Sequence, residues 1–179
     1  MVENRSGQRI LVAYASHFGT TAGVAQAIGE TLRQKGNTVE TKWVTDVQNL
    51  DGYDAVVIGS PIRYDHWMAE AKEFVTVHQN ELSQRPVAYF FTCLTLARRT
   101  ERTEQQAMAY ADKLYVLTPQ VQPVSIGRFA GVLDYSKMSV VLRLLAKVFS
   151  AIVRIPEGDY REWDAIRLWS ENTHLTLSA

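Results

Sequence analysis

The chain lacks the features that mark several classes of protein. Its single cysteine, Cys93, excludes an internal disulfide, and its four histidines show no ligand-like spacing, so no metal site is expected. Nineteen basic residues balance nineteen acidic ones, which gives no global field to attract nucleic acid. No apolar run reaches the ~20 residues that span a bilayer, and the polar start, 1–8, does not resemble a signal peptide. We therefore expect a cytoplasmic protein.

Strand and helix patterns alternate regularly along the chain. A length of 179 residues and a hydrophobic content of 46% suit one domain, 1–179. Continuous apolar runs are typical of parallel strands buried on both faces. Such runs predict strands at 10–15 and 54–59, the alternating segment 38–44 predicts another, and 86–92 and 121–127 are predicted as the fourth and fifth. Helices are predicted at 20–35, 66–79, 103–117 and 159–175.

These elements predict an α/β fold, a doubly wound parallel sheet of five strands. In the second helix, Phe74 and Val77 are expected to face inward, and Asp159 is expected to cap the start of the last helix. The segment at about 128–156 interrupts the alternation. It is too long for a plain connection, so we interpret it as an insertion before the last helix.

A hydroxyl-rich loop, 16–21, joins the first strand to the first helix. Free backbone N–H groups and the helix dipole favour an anion at such a position. Gly19 permits close approach of the main chain, and Ser16, Thr20 and Thr21 add hydroxyl donors. The loop has neither Gly-x-Gly-x-x-Gly nor a lysine after the glycine, which disfavours dinucleotide and nucleoside triphosphate sites. It fits a phosphate monoester, although plain capping of the helix by Ser and Thr explains it equally well.

The third and fourth strands end in loops that are expected to lie beside this one. Ligands of open α/β sheets bind beyond the carboxyl ends of the strands, near the point where the strand order reverses. The third strand ends in an aromatic-bearing loop, 59–67, and the fourth in a small polar loop, 92–95. Together the three loops would accommodate a flat, phosphorylated ring system.

The three loops, in this order, resemble those of the flavodoxin family. Ser16-His17-Phe18-Gly19-Thr20-Thr21 is similar to the Ser/Thr-x-Thr-Gly-x-Thr phosphate loop of that family, with Phe18 where a threonine is usual. The likeness covers residues 10 to about 175. It implies a flavodoxin-like fold with FMN as the cofactor.

Within this family, the chain resembles the menaquinone-dependent protoporphyrinogen IX dehydrogenases. The likeness rests on 56–64 followed by His66, on 92–98 and on 163–166, and the long segment before the last helix matches in position. It implies a hydrophobic, porphyrinogen-like substrate and a quinone acceptor in porphyrin biosynthesis. No side chain is implied as an acid or base.

The resemblance implies three groups of cofactor-binding residues. Around the phosphate it places Ser16, His17, Phe18, Gly19, Thr20 and Thr21; on one side of the isoalloxazine Pro61, Ile62, Arg63 and Tyr64; and on the other Thr92, Cys93, Leu94, Thr95 and Ala97. Two positions depart from the family. Asp65 stands where the family usually has a glycine next to flavin N5. The peptide flip that this glycine permits should be less favourable with aspartate, so we expect a preference for two-electron chemistry. Leu94 stands where a polar residue is expected.

Other residues allow two interpretations each. Arg98, Arg99 and Arg102 form a basic cluster that could bind the carboxylates of a porphyrin substrate, but a solvated helix entry explains them equally well. His17 either donates to the phosphate or is a plain exposed loop residue. Cys93 is expected to be a small filler at a strand end, because nothing in the sequence lowers the pKa of its thiol.

The segment 137–154 is broadly apolar, and all its charges are positive. As a helix it would present a wide apolar face, which could pack in the core, form a homo-oligomer or lie on an anionic membrane surface, such as the inner face of the cell membrane. Three functions are open: an FMN-dependent oxidoreductase with a quinone acceptor, an electron-transfer flavodoxin with a protein partner, and a flavodoxin-like module that has lost FMN.

Overall fold

A parallel sheet of five strands forms the centre of the protein in the computed structural model, which describes residues 7–137 and 139–178. The strands of the chain are β1 (Arg9–Tyr14), β2 (Thr38–Trp43), β3 (Ala55–Arg63), β4 (His66–Trp67), β5 (Val87–Cys93), β6 (Ser125–Ala130), β7 (Val132–Leu133) and β8 (Gly158–Asp159). The helices are α1 (Thr20–Gln34), α2 (Ala69–Val77), α3 (Gln79–Leu82), α4 (Glu101–Leu117), α5 (Val140–Val153) and α6 (Trp163–Leu177). The ends of the predicted domain, 1–6 and Ala179, and Met138 of the predicted apolar segment lie outside the described residues.

The strand order confirms the doubly wound α/β fold. The parallel strands run β2-β1-β3-β5-β6, and β4 adds to the end of β3 in the antiparallel direction. From β1 the chain crosses first to one side, to β2, and then to the other, to β3. The order therefore reverses between β1 and β3, and a crevice opens beyond their carboxyl ends, where ligands of such sheets bind.

Alternate residues of each strand point to opposite faces, and each face carries its own apolar core. One core lies between the sheet and helices α1 and α6; Val24, Ile28 and Leu32 repeat every fourth residue along α1 and are fully buried in it. Gly36, with a φ of 91°, follows the end of this helix, a position that favours glycine. The opposite core lies under α2 and α4 and contains Phe74.

Several predicted boundaries were wrong. The predicted strand 121–127 lies at Ser125–Ala130, because Pro123 has no N–H for the ladder and the pairing begins with the Val124 N–H donating to the Val87 carbonyl at 2.8 Å. The insertion consequently begins at Gly131 instead of 128. The second helix begins at Ala69, since 66–67 form β4, and Val77 is 68% exposed instead of inward.

Asp159 does not cap the last helix. It lies in β8, which pairs with β7, and its carboxylate accepts from the backbone N–H of Arg161 at 3.0 Å and forms an ion pair with that side chain. Helix α6 begins at Trp163, so Asp159 lies too far from its first turn to cap it. The N-cap residue is Glu162, whose side chain makes no capping bond. Among the described residues, no helix is long and apolar enough to cross a membrane.

Candidate functional site

Two adjoining cavities open beyond the carboxyl ends of β1, β3 and β5. The smaller, of about 160 Å³, lies between the loop 16–21 and the end of β5. The larger, of about 680 Å³, lies between the β3–β4 turn and helix α4. Ile62, Cys93 and Leu94 line both, so the two spaces form one continuous site.

Ser16 lines the smaller cavity and has a buried hydroxyl without a hydrogen-bond partner among the described residues. The side chain is 4% exposed, and no described residue hydrogen-bonds to its Oγ atom. A buried hydroxyl without a partner destabilises a protein by about 1–3 kcal/mol, so such a group is rarely left without a purpose. A bound ligand with acceptor oxygens would provide the missing partner.

Helix α1 begins beside the same cavity, and Gly19 precedes its first residue. The φ of 84° and ψ of −8° at Gly19 are left-handed, which a glycine adopts without strain. Gly19 is the N-cap, and no side chain caps the helix, so the interpretation of Ser16 and Thr20 as plain helix caps is not supported. The N–H groups of the first turn are available to an anion.

The hydroxyls of Thr21 and Thr92 lie 2.9 Å apart and are buried. This hydrogen bond ties the start of α1 to the end of β5 and fixes the width of the smaller cavity. Beside it, the ring of Phe18 contacts His17 edge-on at 4.3 Å between centroids, and the Arg63 guanidinium lies 5.9 Å from the Phe18 ring. Phe18 therefore packs with an arginine at the position where the family has a hydroxyl.

A tight turn, Tyr64-Asp65, closes the β3–β4 hairpin beside the larger cavity. Both residues have a positive φ, 49° and 64°, as a two-residue hairpin of this type requires. Two contacts hold Asp65 to α4: its Oδ1 accepts from the Tyr110 hydroxyl at 2.8 Å, and its carbonyl accepts from Lys113 Nζ at 3.1 Å. Burial, together with the Asp65 carboxylate, raises the pKa of Tyr110, so this phenol remains a donor.

Cys93 lies where the two cavities join, but its thiol is chemically quiet. Burial raises its pKa to about 11, so the thiol is neutral near pH 7 and is a poor nucleophile. The expectation that Cys93 fills space at the end of a strand agrees with this environment.

The site brings together most of the residues named from the sequence. Two of them line neither cavity: Gly19, which is exposed at the start of α1, and Ala97, which ends the short 3₁₀ turn after β5. The lining also includes residues that the sequence analysis missed. They are Gly131, Val132 and Leu133 at the start of the insertion, Thr100 at the N-cap of α4, Thr103, Gln106 and Tyr110 on one face of α4, and Ile155.

The spacing of the missed α4 residues could have indicated them. Positions three, four and seven apart lie on one face of a helix, and α4 follows the polar loop after β5.

The structure divides the basic cluster of Arg98, Arg99 and Arg102. Arg98 and Arg102 line the larger cavity, whereas Arg99 forms ion pairs with Glu104 and Glu162.

Comparisons with known proteins agree with this geometry. Residues 11–159 match the family described as Flavodoxin domain. The chain is 27% identical over 179 residues to the "Protoporphyrinogen IX dehydrogenase [quinone]" of Escherichia coli (strain K12), with 94% of this chain and 96% of that protein covered. It is 30% identical over 172 residues to the protein of the same name from Leishmania major, covering 87% of this chain and 71% of that one.

Solved structures show the same fold. The flavodoxin of Streptococcus pneumoniae TIGR4 matches with a TM-score of 0.53 and 14% identity, covering 95% of this chain and 97% of that one. A flavoprotein in complex with FMN from Lactobacillus acidophilus NCFM matches with a TM-score of 0.50 and 19% identity, covering 68% of this chain and 93% of that one. The family match thus confirms the family that the sequence resembles, and the solved structures show the same fold.

Proposed function

The chain belongs to the flavodoxin domain family, and from that premise we propose that it is an FMN-dependent oxidoreductase that oxidises protoporphyrinogen IX and passes the electrons to a quinone. The relatives from Escherichia coli and Leishmania carry the name of this activity. The observation that carries the proposal is the joined pair of cavities, one headed by a buried unused hydroxyl and a helix N-terminus, the other much larger and partly apolar.

The residues around the smaller cavity fit the phosphate of FMN. The Ser16 hydroxyl, the hydroxyls of Thr20 and Thr21 and the first N–H groups of α1 would hold it by hydrogen bonds, without a lysine or arginine in the loop. The loops 61–64 and 92–95 would flank the ring system. When bound, FMN supplies the redox chemistry, and the protein supplies position and electrostatics.

The residues around the larger cavity orient a substrate and exclude water. Ile62, Leu94 and Ile155 provide apolar wall, while Thr95, Gln106 and Tyr110 provide hydrogen-bonding groups. The neutral Cys93 thiol takes no part in the proton balance near pH 7. We assign no side chain as a catalytic acid or base.

Helix α5 supports a quinone acceptor and a peripheral contact with a membrane, because its apolar face is exposed to solvent. The polar side of the helix contacts the residues that flank it: Arg143 Nε donates to the Tyr135 carbonyl at 2.9 Å, and the buried Ser150 donates from Oγ to the Ile155 carbonyl at 2.5 Å. Its apolar face points to solvent, with Val140, Leu144 and Ile152 at 66–81% exposure. Large apolar faces of this kind mark interaction surfaces.

The positive charge of the segment favours an anionic bilayer as the occupant of this face. The sequence from 135 to 156 contains four basic residues and no acidic one. Basic residues flanking an apolar helical face are attracted to anionic lipids, whereas two such segments would repel each other in a dimer. Quinones are apolar and dissolve in bilayers, so this contact would bring the site to its electron acceptor.

Sedimentation with vesicles tests the bilayer contact. We expect binding to vesicles that contain anionic phosphatidylglycerol and loss of binding in Leu144→Glu. Leu168→Glu is the matched control, because Leu168 on α6 is exposed to a similar extent, 60% against 66%. A wild-type protein that stays in the supernatant, or that forms dimers disrupted by Leu144→Glu, would refute the bilayer contact.

Anaerobic turnover tests the proposed activity. FMN-loaded protein is mixed with protoporphyrinogen IX, and the fluorescence of the porphyrin product is followed with a soluble quinone as acceptor. We expect oxidation that requires both FMN and quinone. Oxidation that proceeds only when an oxidised redox protein replaces the quinone as the electron acceptor would indicate an electron-transfer flavodoxin instead.

A further inference from the structure

Two arginines at one end of the larger cavity have no acidic partner among the described residues. We propose that Arg98 and Arg102 bind the carboxylates of the substrate and thereby fix its orientation in the cavity. This inference rests on the proposed function for the identity of the substrate. It assigns a specificity-determining pair at a site whose remaining lining is largely uncharged.

The contrast with Arg99 separates the ligand-facing arginines from a structural one. Arg99 Nε and Nη2 donate to Glu162 at 2.9 and 2.6 Å, and Nη1 contacts Glu104, so this side chain joins the start of α4 to the residue before α6. Arg98 and Arg102 are exposed and line the cavity instead. Of three neighbouring cations, one is committed to the fold and two face the cavity.

The N-terminus of α4 does not compete with these side chains for an anion. Thr100 and Thr103 form a capping box: the Thr103 N–H donates to Thr100 Oγ1 at 3.2 Å, and the Thr100 N–H donates to Thr103 Oγ1 at 2.8 Å. The first backbone donors of the helix are therefore partly occupied. An anion at this end of the cavity would be bound by the two guanidinium groups.

Polarity changes along the cavity in one direction. Arg102, Gln106 and Tyr110 lie on one face of α4, and the hydroxyl of Tyr110 donates to Asp65. Eight residues separate Arg102 from Tyr110, which corresponds to about 12 Å along the helix axis. The only acidic residue among those lining the cavity thus lies at the end opposite the arginines, and it would repel a carboxylate placed there.

This arrangement selects an amphiphilic ligand that carries its carboxylates at one edge. Guanidinium groups bind carboxylates through two parallel hydrogen bonds, and two cations match two carboxylates. The apolar body of the ligand would then lie against Ile62, Leu94 and Ile155. A porphyrinogen with two propionates on neighbouring rings has this shape, so its propionate edge would face the two arginines.

Binding of a stable porphyrin tests the pair independently of turnover. FMN-loaded wild type and the double variant Arg98→Gln/Arg102→Gln are titrated with protoporphyrin IX and with its dimethyl ester, and quenching of porphyrin fluorescence gives each Kd. Ion pairs of exposed side chains are individually weak, so we expect the double variant to bind the diacid roughly tenfold less tightly than wild type. The Kd of the ester should not change.

The double variant Lys35→Gln/Arg167→Gln is the matched control, because it removes the same charge from exposed ion pairs on α6 and next to α1, on the opposite face of the sheet. It should bind both porphyrins as wild type does. In turnover, the arginine double variant should show a raised KM with kcat unchanged.

Two results would overturn the inference: equal binding of the diacid by wild type and by the arginine double variant, or a wild type that binds neither porphyrin. Charge-dependent porphyrin binding without any oxidation of protoporphyrinogen would refute the proposed function and leave the carboxylate pair standing.

Discussion

Replacing Ser16 with alanine should raise the stability of the FMN-free protein and weaken its binding of FMN. Most substitutions of a buried polar residue destabilise a protein, because they leave its partner without a hydrogen bond. Ser16 is the reverse case: its Oγ is buried and no described residue bonds to it, so the hydroxyl itself is the unsatisfied group. Alanine removes that group and keeps most of the volume.

The structure sets the size of both effects. An unsatisfied buried hydroxyl destabilises a protein by about 1–3 kcal/mol, so Ser16→Ala should stabilise the apoprotein by about 1 kcal/mol or more. In a chain of this length, that corresponds to a rise in Tm of about 2–4 °C per kcal/mol. A hydrogen bond to a charged phosphate contributes about 1.5–3 kcal/mol, so FMN should bind roughly 10–150-fold more weakly.

Ser60→Ala is the matched control. Ser60 is fully buried on the neighbouring strand β3, but its hydroxyl donates to the Pro61 carbonyl at 3.0 Å and accepts from the Met68 N–H at 2.9 Å. Its loss should destabilise the apoprotein. Thermal melting without FMN and an FMN titration by flavin fluorescence measure the two quantities. An apoprotein destabilised by Ser16→Ala, with FMN affinity unchanged, would refute the role given to this hydroxyl.

Two further predictions concern the turn at Asp65 and the ionisation of buried groups. Asp65→Ala and Asp65→Gly both lose the hydrogen bond from Tyr110, but only the glycine adopts the left-handed φ of 64° without strain. In urea unfolding, the glycine variant should therefore be more stable than the alanine variant by about 1 kcal/mol. Equal stabilities of the two variants would contradict the strain. Burial raises the pKa of Cys93 from 9.0 to about 11, so its contribution to stability should be complete below pH 9 and lost between about pH 9 and 11, as the unfolded thiol ionises first. Wild type should lose stability over this range faster than Cys93→Ala, and native Cys93 should resist alkylation at pH 8; rapid alkylation of the folded protein would contradict both.

The sheet could be predicted from the sequence because its strands are buried on both faces. Continuous apolar runs such as 10–15 and 54–59 are typical of parallel strands that helices cover on both faces of the sheet. Parallel strands also bring their carboxyl ends to one edge. The loop 16–21 follows the first strand directly, so its place at the mouth of the site required only the strand order.

The remaining features depend on contacts that local patterns do not encode. The hairpin at 62–67 turns through Tyr64-Asp65, which is not the Asn-Gly or Asp-Gly pair that usually indicates such a turn. Contacts with α4 hold this turn in place. The apolar pattern of 137–154 left core packing, a homo-oligomer and a membrane surface open, and only the structure shows that this face of α5 points to solvent. Arg98, Arg99 and Arg102 are alike in sequence, and Arg99 is distinguished by its ion pairs with Glu104 and with Glu162, which lies on a distant segment.

Equilibrium titration of the FMN-free wild-type protein with FMN tests the central claim most directly. The main-chain N–H groups after Gly19 and the buried Ser16 hydroxyl should bind the phosphate, so we expect saturable binding of one FMN per chain in the micromolar range or tighter, and weaker binding of riboflavin, which has no phosphate. Equal affinity for riboflavin and FMN, or no binding of FMN at micromolar concentrations, would contradict it.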